Sequence, residues 1–290
     1  MTVYPCVKVN LGLNVLRKRS DGYHDLETLF VPSDEYHDVL EIIDGDDWSR
    51  TSASLFSRYG GDAHSDGDTR LVQAVSENGK LMITIARKEG VDWNPLEDLC
   101  AKAYFLLDSD FGLPPVKIFL EKLSPVGAGL GGGSADAAFT IRELDRLFSL
   151  GLDESAMAAY AARLGSDCAF FIYGRPMFGE GRGDILSDFD IPALDGLELK
   201  IVAPDGISVP TADAYRGIVP HVPELPLREA LAAPVCEWKK LLVNDFEKTV
   251  FGRYPILASV KQSLYDSGAV YASMSGSGSA LFALYEKSGK

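Results

Sequence analysis

Residues 125–134 read Pro-Val-Gly-Ala-Gly-Leu-Gly-Gly-Gly-Ser, and five of the seven residues 127–133 are glycine. This loop follows a segment of alternating apolar residues, 116–120, and precedes a stretch with helical spacing, 134–148. Because glycine lacks a Cβ atom, backbone amides in such a loop can approach phosphate oxygens closely, and the start of a helix adds positive potential. The order of strand, glycine loop and helix therefore predicts a phosphate-binding loop rather than a flexible linker.

The residues around the loop narrow its type. A Walker A loop needs Gly-Lys followed by Ser or Thr, and no lysine stands near Ser134. Gly127, Gly129 and Gly132 match the glycine spacing of dinucleotide-binding proteins. In those proteins an acidic residue ends a second strand about 20 residues on, whereas residues 150–154 of this chain lead into a helix. A dinucleotide-dependent oxidoreductase is therefore disfavoured.

Composition describes a globular chain. The 290 residues are 46% hydrophobic and 24% charged, which is the ordinary globular range and allows two domains or one large one. The 28 lysines and arginines against 42 aspartates and glutamates give a net charge of -14 at pH 7. This charge disfavours nucleic acid as a partner, because basic residues supply most of that affinity. No apolar stretch approaches the ~18–20 residues of a membrane helix, so no membrane association is expected.

The cysteines and the N-terminal residues indicate the expected cellular location. None of the pairs among Cys6, Cys100, Cys168 and Cys236 has C-x-x-C spacing, so neither a zinc site nor a redox motif is predicted. The first residues show no basic start followed by an apolar run, as a signal peptide would. Scattered cysteines in such a chain are typical of a reduced, cytoplasmic enzyme, which is the location we expect.

Strand and helix patterns are mixed along the chain without regular alternation, which favours the α+β class. A helix is predicted to begin with Asn94 as its cap and Pro95 in its first turn. The apolar run 169–173 predicts a strand. Residues 44–79, rich in Asp, Gly and Ser, predict a long surface excursion. We expect an N-terminal domain over residues 1–170 and a C-terminal domain over residues 171–290.

The glycine loop resembles the Pro-x-x-x-Gly-Leu-Gly-Ser/Gly-Ser loop of the small-molecule kinase family that includes galactokinase, homoserine kinase and mevalonate kinase. Residues 275–279, Ser-Gly-Ser-Gly-Ser, resemble the late loop of the same family. The resemblance implies a two-domain kinase fold that uses ATP and Mg²⁺, with the metal ligands left open. It assigns ATP contacts to one continuous run: Pro125, Val126, Gly127, Ala128, Gly129, Leu130, Gly131, Gly132, Gly133, Ser134 and Ala135.

The N-terminal segments narrow the resemblance to one branch of that family. Residues 8–14 read Lys-Val-Asn-Leu-Gly-Leu-Asn, and residues 21–28 read Asp-Gly-Tyr-His-Asp-Leu-Glu-Thr. Together with residues 164–167, 179–183 and 207–211, they resemble the branch that phosphorylates the 2-hydroxyl of a cytidine diphosphate-linked methylerythritol. This small molecule is the implied substrate, and the implied pathway is non-mevalonate isoprenoid precursor biosynthesis.

The resemblance also implies roles for single side chains. Lys8 and Asp167 would form the catalytic pair, with Asp167 as the base and Lys8 offsetting charge on the attacking oxygen. Substrate contacts are implied for Asn10, Tyr23, His24, Thr211 and Tyr215, with the aromatic rings at the cytosine. Taken without the resemblance, a lone strand lysine is usually solvated, and an aspartate after Gly-Ser is usually a loop or cap residue.

Several alternatives stay open at this point. The chain resembles other kinases of the same family, acting on homoserine or a mevalonate derivative, and a non-catalytic nucleotide-binding relative would share the loop. The presence of both Lys8 and Asp167 disfavours the non-catalytic alternative.

Asp136, in the first turn after the loop, is most simply a helix-dipole residue. The branch usually has Asn where this chain has Asp98, so Asp98 is left out of the site. The oligomeric state is open between monomer and homodimer.

Overall fold

The computed structural model describes residues 2–45 and 69–287. The strands among them are β1 (Thr2–Val3), β2 (Cys6–Lys18), β3 (His24–His37), β4 (Val39–Asp44), β5 (Arg70–Val75), β6 (Leu81–Arg87), β7 (Val116–Lys122), β8 (Met177–Glu180), β9 (Ile185–Asp188), β10 (Leu197–Val202), β11 (Tyr271–Met274) and β12 (Leu281–Glu286). The helices are α1 (Leu99–Phe111), α2 (Gly132–Phe148), α3 (Glu154–Ala162), α4 (Cys168–Tyr173), α5 (Thr211–Arg216), α6 (Leu227–Ala232), α7 (Val235–Leu241), α8 (Phe246–Arg253) and α9 (Pro255–Asp266). None of these described helices combines the length and apolarity needed to cross a membrane.

The chain divides into two compact units, each assembled from three stretches. Unit 1 comprises Met1–Cys6, Tyr36–Ser124 and Gly132–Tyr173, and unit 2 comprises Val7–Glu35, Pro125–Gly131 and Gly174–Lys290. The sequence-based division at residue 170 is linear, whereas each unit combines stretches from distant parts of the chain. That linear division stays a prediction.

Unit 1 is built on a five-stranded sheet in the order β1-β4-β7-β6-β5. Its strands pair antiparallel, except that β6 and β7 are parallel, with Leu81 opposite Val116. A parallel pair needs a crossover connection, and α1 lies in the segment that joins β6 to β7. Helix α2 packs against α1 and α4. The strand residues 81–86 are buried throughout, as expected of a strand covered on both faces.

Unit 2 contains two sheets. One has the order β2-β3-β8-β9, and the other, antiparallel, has the order β10-β12-β11. Thr28 of β3 lies opposite Gly179 of β8, so the N-terminal strands complete a sheet with strands far along the chain. A core cluster packs β2 residues against the C-terminal helices and strands, and includes Leu13, Val15, Phe246, Leu257, Met274 and Leu281.

The structure corrects two local predictions. Residues 169–173 lie in helix α4 rather than in a strand, because periodicity alone cannot separate a short continuous apolar run in a strand from one in a buried helix. Asn94 caps only a single 3₁₀ turn, Pro95–Glu97, and α1 begins after Asp98. The Oδ1 atom of Asp98 accepts the Cys100 amide at 2.9 Å, which gives this residue a capping role.

The predicted surface excursion over residues 44–79 is described only in part. Its end forms the edge strand β5, which pairs antiparallel with β6. Residues 46–68 lie outside the described residues.

Candidate active site

The glycine loop connects β7 to α2, and α2 begins at Gly132 rather than at Ser134. Gly127, Gly129 and Gly131 have φ angles of 72°, 78° and 76°, in the left-handed region that favours glycine. Left-handed residues at every second position suit a backbone concavity that receives an anion. The predicted loop therefore has the backbone conformation that its composition implied.

The late Gly/Ser loop, residues 275–279, lies directly against the glycine loop within unit 2. Ser275 Oγ donates to the Gly129 carbonyl at 3.0 Å, and the Ala280 amide donates to the Ala128 carbonyl at 3.0 Å. A Cβ atom added at Gly129 would lie 2.2 Å from the Ser275 carbonyl oxygen. Two motifs that are far apart in sequence thus form one hydrogen-bonded pair of loops.

Lys8 is buried at the glycine loop. Its side chain is 3% exposed, and its amide donates to the Leu130 carbonyl at 2.9 Å. The ammonium Nζ donates to Asn10 Oδ1 at 2.6 Å and to the Gly129 carbonyl at 2.9 Å. The expectation that a lone strand lysine is solvated is wrong here, because β2 is buried on both faces. The structure brings Lys8, Asn10 and the phosphate loop together.

The aromatic candidates divide into a stacked pair and an exposed ring. His24 and Tyr215 stack with centroids 4.9 Å apart and planes at 19°, and Phe246 contacts Tyr215 edge-on at 4.7 Å. Tyr23 is 58% exposed, and the Arg182 guanidinium lies 5.1 Å from its ring centroid. Arg182 belongs to the 179–183 motif, but the sequence reasoning gave it no role.

The protonation state of His24 follows from its surroundings. Burial, followed by the charge of a nearby lysine, lowers the pKa of its imidazole below the usual value. At neutral pH the ring is therefore neutral and offers one donor and one acceptor nitrogen. That pattern suits the hydrogen-bonding edge of a nucleobase.

Helix α5 carries two of the predicted substrate residues. Thr211 and Tyr215 are four residues apart and therefore share one helix face. Thr211 Oγ1 lies 3.2 Å from Ser277 Oγ of the late loop. The structure thus places α5 beside the loop pair through Thr211 and beside His24 through Tyr215.

Asp167 lies between α3 and α4 in unit 1 and is half-buried. Ser166 Oγ donates to its Oδ1 atom at 3.1 Å. The next residue, Cys168, has its thiol pKa raised to about 11 by burial, with Ser134 opposing the rise and Asp167 adding to it. Ser134 of the glycine loop therefore neighbours Cys168 within unit 1, beside Asp167. The pairing of Asp167 with Lys8 stays a prediction.

A buried charged cluster lies beneath the start of α2. Lys122 Nζ contacts Asp38 Oδ2 and donates to Asp136 Oδ2 at 2.5 Å. Ser124 Oγ donates to Asp38 Oδ2 at 2.8 Å, and a Cβ atom added at Gly132 would lie 2.5 Å from that hydroxyl. The first turn of α2 is therefore held against the ends of β4 and β7. Asp136 is an ion-pair partner, which the helix-dipole interpretation missed because the pairing depends on tertiary structure.

The metal ligands that the sequence left open are not gathered into a preformed site in the described part of the chain. Within residues 2–45 and 69–287, no group of three or more His, Cys, Asp or Glu side chains is arranged to hold a metal ion. A magnesium ion that arrives on ATP phosphates needs only one or two protein carboxylates. The described residues are compatible with a metal carried by the nucleotide.

Comparison with known proteins shows which family the chain belongs to. Residues 98–175 match the GHMP kinases N terminal domain, and residues 229–290 match the GHMP kinases C terminal domain. The chain is 43% identical over 289 residues to the 4-diphosphocytidyl-2-C-methyl-D-erythritol kinase of Bacteroides thetaiotaomicron, covering 100% of this chain and 93% of that protein. The chain belongs to this kinase family. The enzyme of the same name from Azobacteroides pseudotrichonymphae is 40% identical, covering 99% of this chain and 94% of its own length.

Solved structures agree with this family membership. A crystal structure of 4-(cytidine 5'-diphospho)-2C-methyl-D-erythritol kinase aligns with a TM-score of 0.72 and 31% identity, covering 98% of this chain and 90% of that chain. A homoserine kinase from Cytophaga hutchinsonii aligns with a TM-score of 0.60 at 18% identity, covering 98% and 86%, which shows a shared fold. The predicted α+β class, the kinase fold and the family resemblance are confirmed.

Proposed function

We propose that this chain transfers the γ-phosphoryl group of ATP to the 2-hydroxyl of 4-diphosphocytidyl-2-C-methyl-D-erythritol. Family membership supports the reaction class. The observation that carries the proposal is the contact of Lys8 Nζ with the Gly129 carbonyl at 2.9 Å, which holds a buried ammonium against the phosphate loop. A positive group at that position offsets charge on the transferring phosphoryl group and the attacking oxygen.

The phosphates of ATP would bind at residues 125–135. Phosphoryl transfer depends mainly on positioning and charge neutralisation, and the loop amides with the start of α2 supply both. The nucleotide would enter as its magnesium complex, whose metal neutralises phosphate charge. The loop pair around Gly129 and Ser275 keeps this backbone in one conformation.

The acceptor would bind through the aromatic groups and α5. A pyrimidine ring suits the exposed face of Tyr23, and the neutral imidazole of His24 suits its hydrogen-bonding edge. Asn10 and Thr211 would contact the methylerythritol portion. Tyr215 stacks on His24 and so supports its imidazole ring from one face. A small molecule of this chemistry is the partner we propose.

The location we propose is the cytoplasm. The four cysteines, all within the described residues, form no disulfide with one another, as is usual in reducing compartments.

The test is a coupled assay of ADP release with Mg-ATP and three separate acceptors. We expect release with 4-diphosphocytidyl-2-C-methyl-D-erythritol and none above background with homoserine or mevalonate. Release with homoserine or mevalonate alone would replace the proposed acceptor. A folded protein that binds ATP but releases no ADP with any acceptor would contradict the proposal and favour a non-catalytic relative.

The proposed catalytic pair makes a separate prediction. Asp167→Asn removes the base that would take the hydroxyl proton, and Lys8→Met removes the buried ammonium. Each is expected to lower turnover at least ~10²-fold. The exposed controls Asp205→Asn and Lys88→Met should keep wild-type turnover. Near-normal turnover in folded Asp167→Asn or Lys8→Met protein would remove that residue from the catalytic assignment.

A further inference from the structure

Buried polar side chains of β2 and β3 form a chain of hydrogen bonds that ends at Lys8. Thr28 Oγ1 donates to the Gly12 carbonyl at 2.6 Å, and Asn10 Nδ2 donates to Thr28 Oγ1 at 3.0 Å. Lys8 Nζ then donates to Asn10 Oδ1 at 2.6 Å. Thr28, Asn10 and Lys8 are 0%, 2% and 3% exposed. Each of these hydrogen bonds is therefore made in a site from which bulk water is excluded.

The Gly12 carbonyl fixes which group donates and which accepts in each of these hydrogen bonds. A carbonyl oxygen can only accept, so the single hydroxyl proton of Thr28 is used there. Toward Asn10 the Thr28 oxygen can then only accept, which requires the amide nitrogen of Asn10 on that side. The amide oxygen of Asn10 consequently faces Lys8, whose ammonium can only donate. In the opposite orientation, the Asn10 amide oxygen would face the Thr28 oxygen, which has no proton left to donate, and the Asn10 NH₂ group would face the Lys8 ammonium, which cannot accept.

Glycines give close packing near both ends of this series of hydrogen bonds. Gly12 has φ of 75°, and a Cβ atom there would lie 2.5 Å from Leu227 Cδ1. A Cβ atom at Gly276 would lie 3.1 Å from the Gly129 carbonyl and 3.4 Å from Asn10 Oδ1. Asn10 Oδ1 and the Gly129 carbonyl, both acceptors of the Lys8 ammonium, thus lie together beneath Gly276 of the late loop.

We propose that Thr28 is a positioning residue for phosphoryl transfer, because its hydroxyl selects the Asn10 amide orientation that holds the Lys8 ammonium at the Gly129 carbonyl. The proposal rests on the proposed function, since that function gives Lys8 its part in the reaction. Thr28 itself touches neither substrate nor phosphate. Its effect passes through the carboxamide of Asn10, which stands between it and Lys8.

The decisive variants change the hydroxyl and keep the shape. Thr28→Val removes the hydroxyl at nearly constant volume, and Thr28→Ser retains it. We expect Thr28→Val to lower kcat at least ~10-fold while KM for ATP stays within about 2-fold, because the loss falls on transition-state charge rather than on nucleotide binding. Thr28→Ser keeps the hydroxyl, so its kcat should stay near the wild-type value.

A matched control separates this effect from the loss of any buried threonine. Thr84 is 5% exposed, and its Oγ1 accepts a side-chain amide, Gln73 Nε2, at 2.9 Å. Thr84→Val therefore loses a hydrogen bond of the same kind, and its kcat should remain at the wild-type value. A double-mutant cycle adds a second readout: in an Asn10→Ala background, Thr28→Val should have little further effect on kcat.

Crystal structures of the Thr28→Val and Thr28→Ser proteins keep the test independent of the assay. We expect the valine variant to lose the contact of Lys8 Nζ with Asn10 Oδ1 and the serine variant to keep it. Wild-type kcat in folded Thr28→Val protein, or an unchanged Lys8 and Asn10 arrangement in its crystal structure, would overturn the inference. An inactive wild-type protein would contradict the proposed function alone, and the crystal structures would still decide the role of Thr28.

Discussion

Two of the buried lysines of this chain, Lys8 and Lys122, have side-chain or backbone oxygen partners. The Lys8 ammonium donates to Asn10 Oδ1 and to the Gly129 carbonyl. Lys122 lies between the carboxylates of Asp38 and Asp136. Burial acts to lower the pKa of Lys122, but the two carboxylates outweigh it, so that the pKa is raised and the ammonium stays charged. Burial raises the pKa of Asp136 well above its usual value; the Lys122 ammonium opposes this rise, and the Asp38 carboxylate adds to it.

The Lys122 cluster predicts a stability defect. Lys122→Met leaves two buried carboxyl groups without a counterion, and the free energy of unfolding should fall by about 3–5 kcal/mol. Urea unfolding at fixed temperature measures this difference. The control Lys200→Met removes a lysine of a solvent-exposed ion pair and should leave the unfolding midpoint unchanged within error. Equal losses of unfolding free energy in Lys122→Met and Lys200→Met would contradict a stabilising role for the Lys122 cluster.

The same cluster predicts the sign of a pH dependence. The native pKa of Asp136 is raised, so the folded protein holds this proton more tightly than the unfolded chain does. Its stabilising contribution is present below the unfolded pKa of ~3.9 and is lost as the pH rises through the native value. Without Lys122 the native pKa rises further. The Lys122→Met protein should therefore be more stable relative to wild type at pH 5 than at pH 8, and the opposite order would contradict this account.

Among single residues, sequence reasoning found those that a motif contains. Family motifs predict Lys8, Asn10, His24 and Tyr215, and the structure places each of them beside another predicted residue or loop. The Lys122 cluster was missed, and Thr28, although it ends the 21–28 motif, was given no role. Their significance depends on hydrogen-bond and charge partners that are distant in sequence, and no local pattern marks such partners.

At the scale of elements, the glycine loop matched its prediction, and the short helices were the difficult part. The glycines marked the loop because few residues adopt positive φ without strain. Helix α4 was predicted as a strand, and α7 and α8 were not predicted. Each is six to eight residues long, and α7 and α8 begin without a side-chain capping hydrogen bond.

The paired loops predict different tolerances at two glycines with similar backbone angles. Gly127→Ala and Gly129→Ala both place a side chain at positive φ, which costs roughly 1–2 kcal/mol. Only at position 129 does the added Cβ meet backbone, 2.2 Å from the Ser275 carbonyl oxygen. Urea unfolding should therefore show a clearly larger loss of stability for Gly129→Ala. Equal losses would mean that the late loop moves away at little cost.

At the scale of the whole molecule, each unit is assembled from separated stretches of chain. Strand β3 pairs with β8, and β1 pairs with β4. Residues that are far apart in sequence also come together at the glycine loop, where Lys8 of β2 contacts the Gly129 carbonyl. The net charge of -14 comes from 42 acidic residues against 28 basic ones, and the buried ammonium of Lys8 at the phosphate loop is one of these basic groups.

The amino-acid sequence by itself determined the α+β class, the phosphate loop, the kinase family and most of the residue types of the candidate site. Motif residues and glycines carry this information locally, because backbone conformation and anion binding depend on neighbours in the chain. Only the tertiary structure decided that Lys8 is buried, which way the Asn10 amide points, and how Asp136 pairs with Lys122. These features depend on burial and on hydrogen-bond partners from other strands and loops, which form only when the chain has folded.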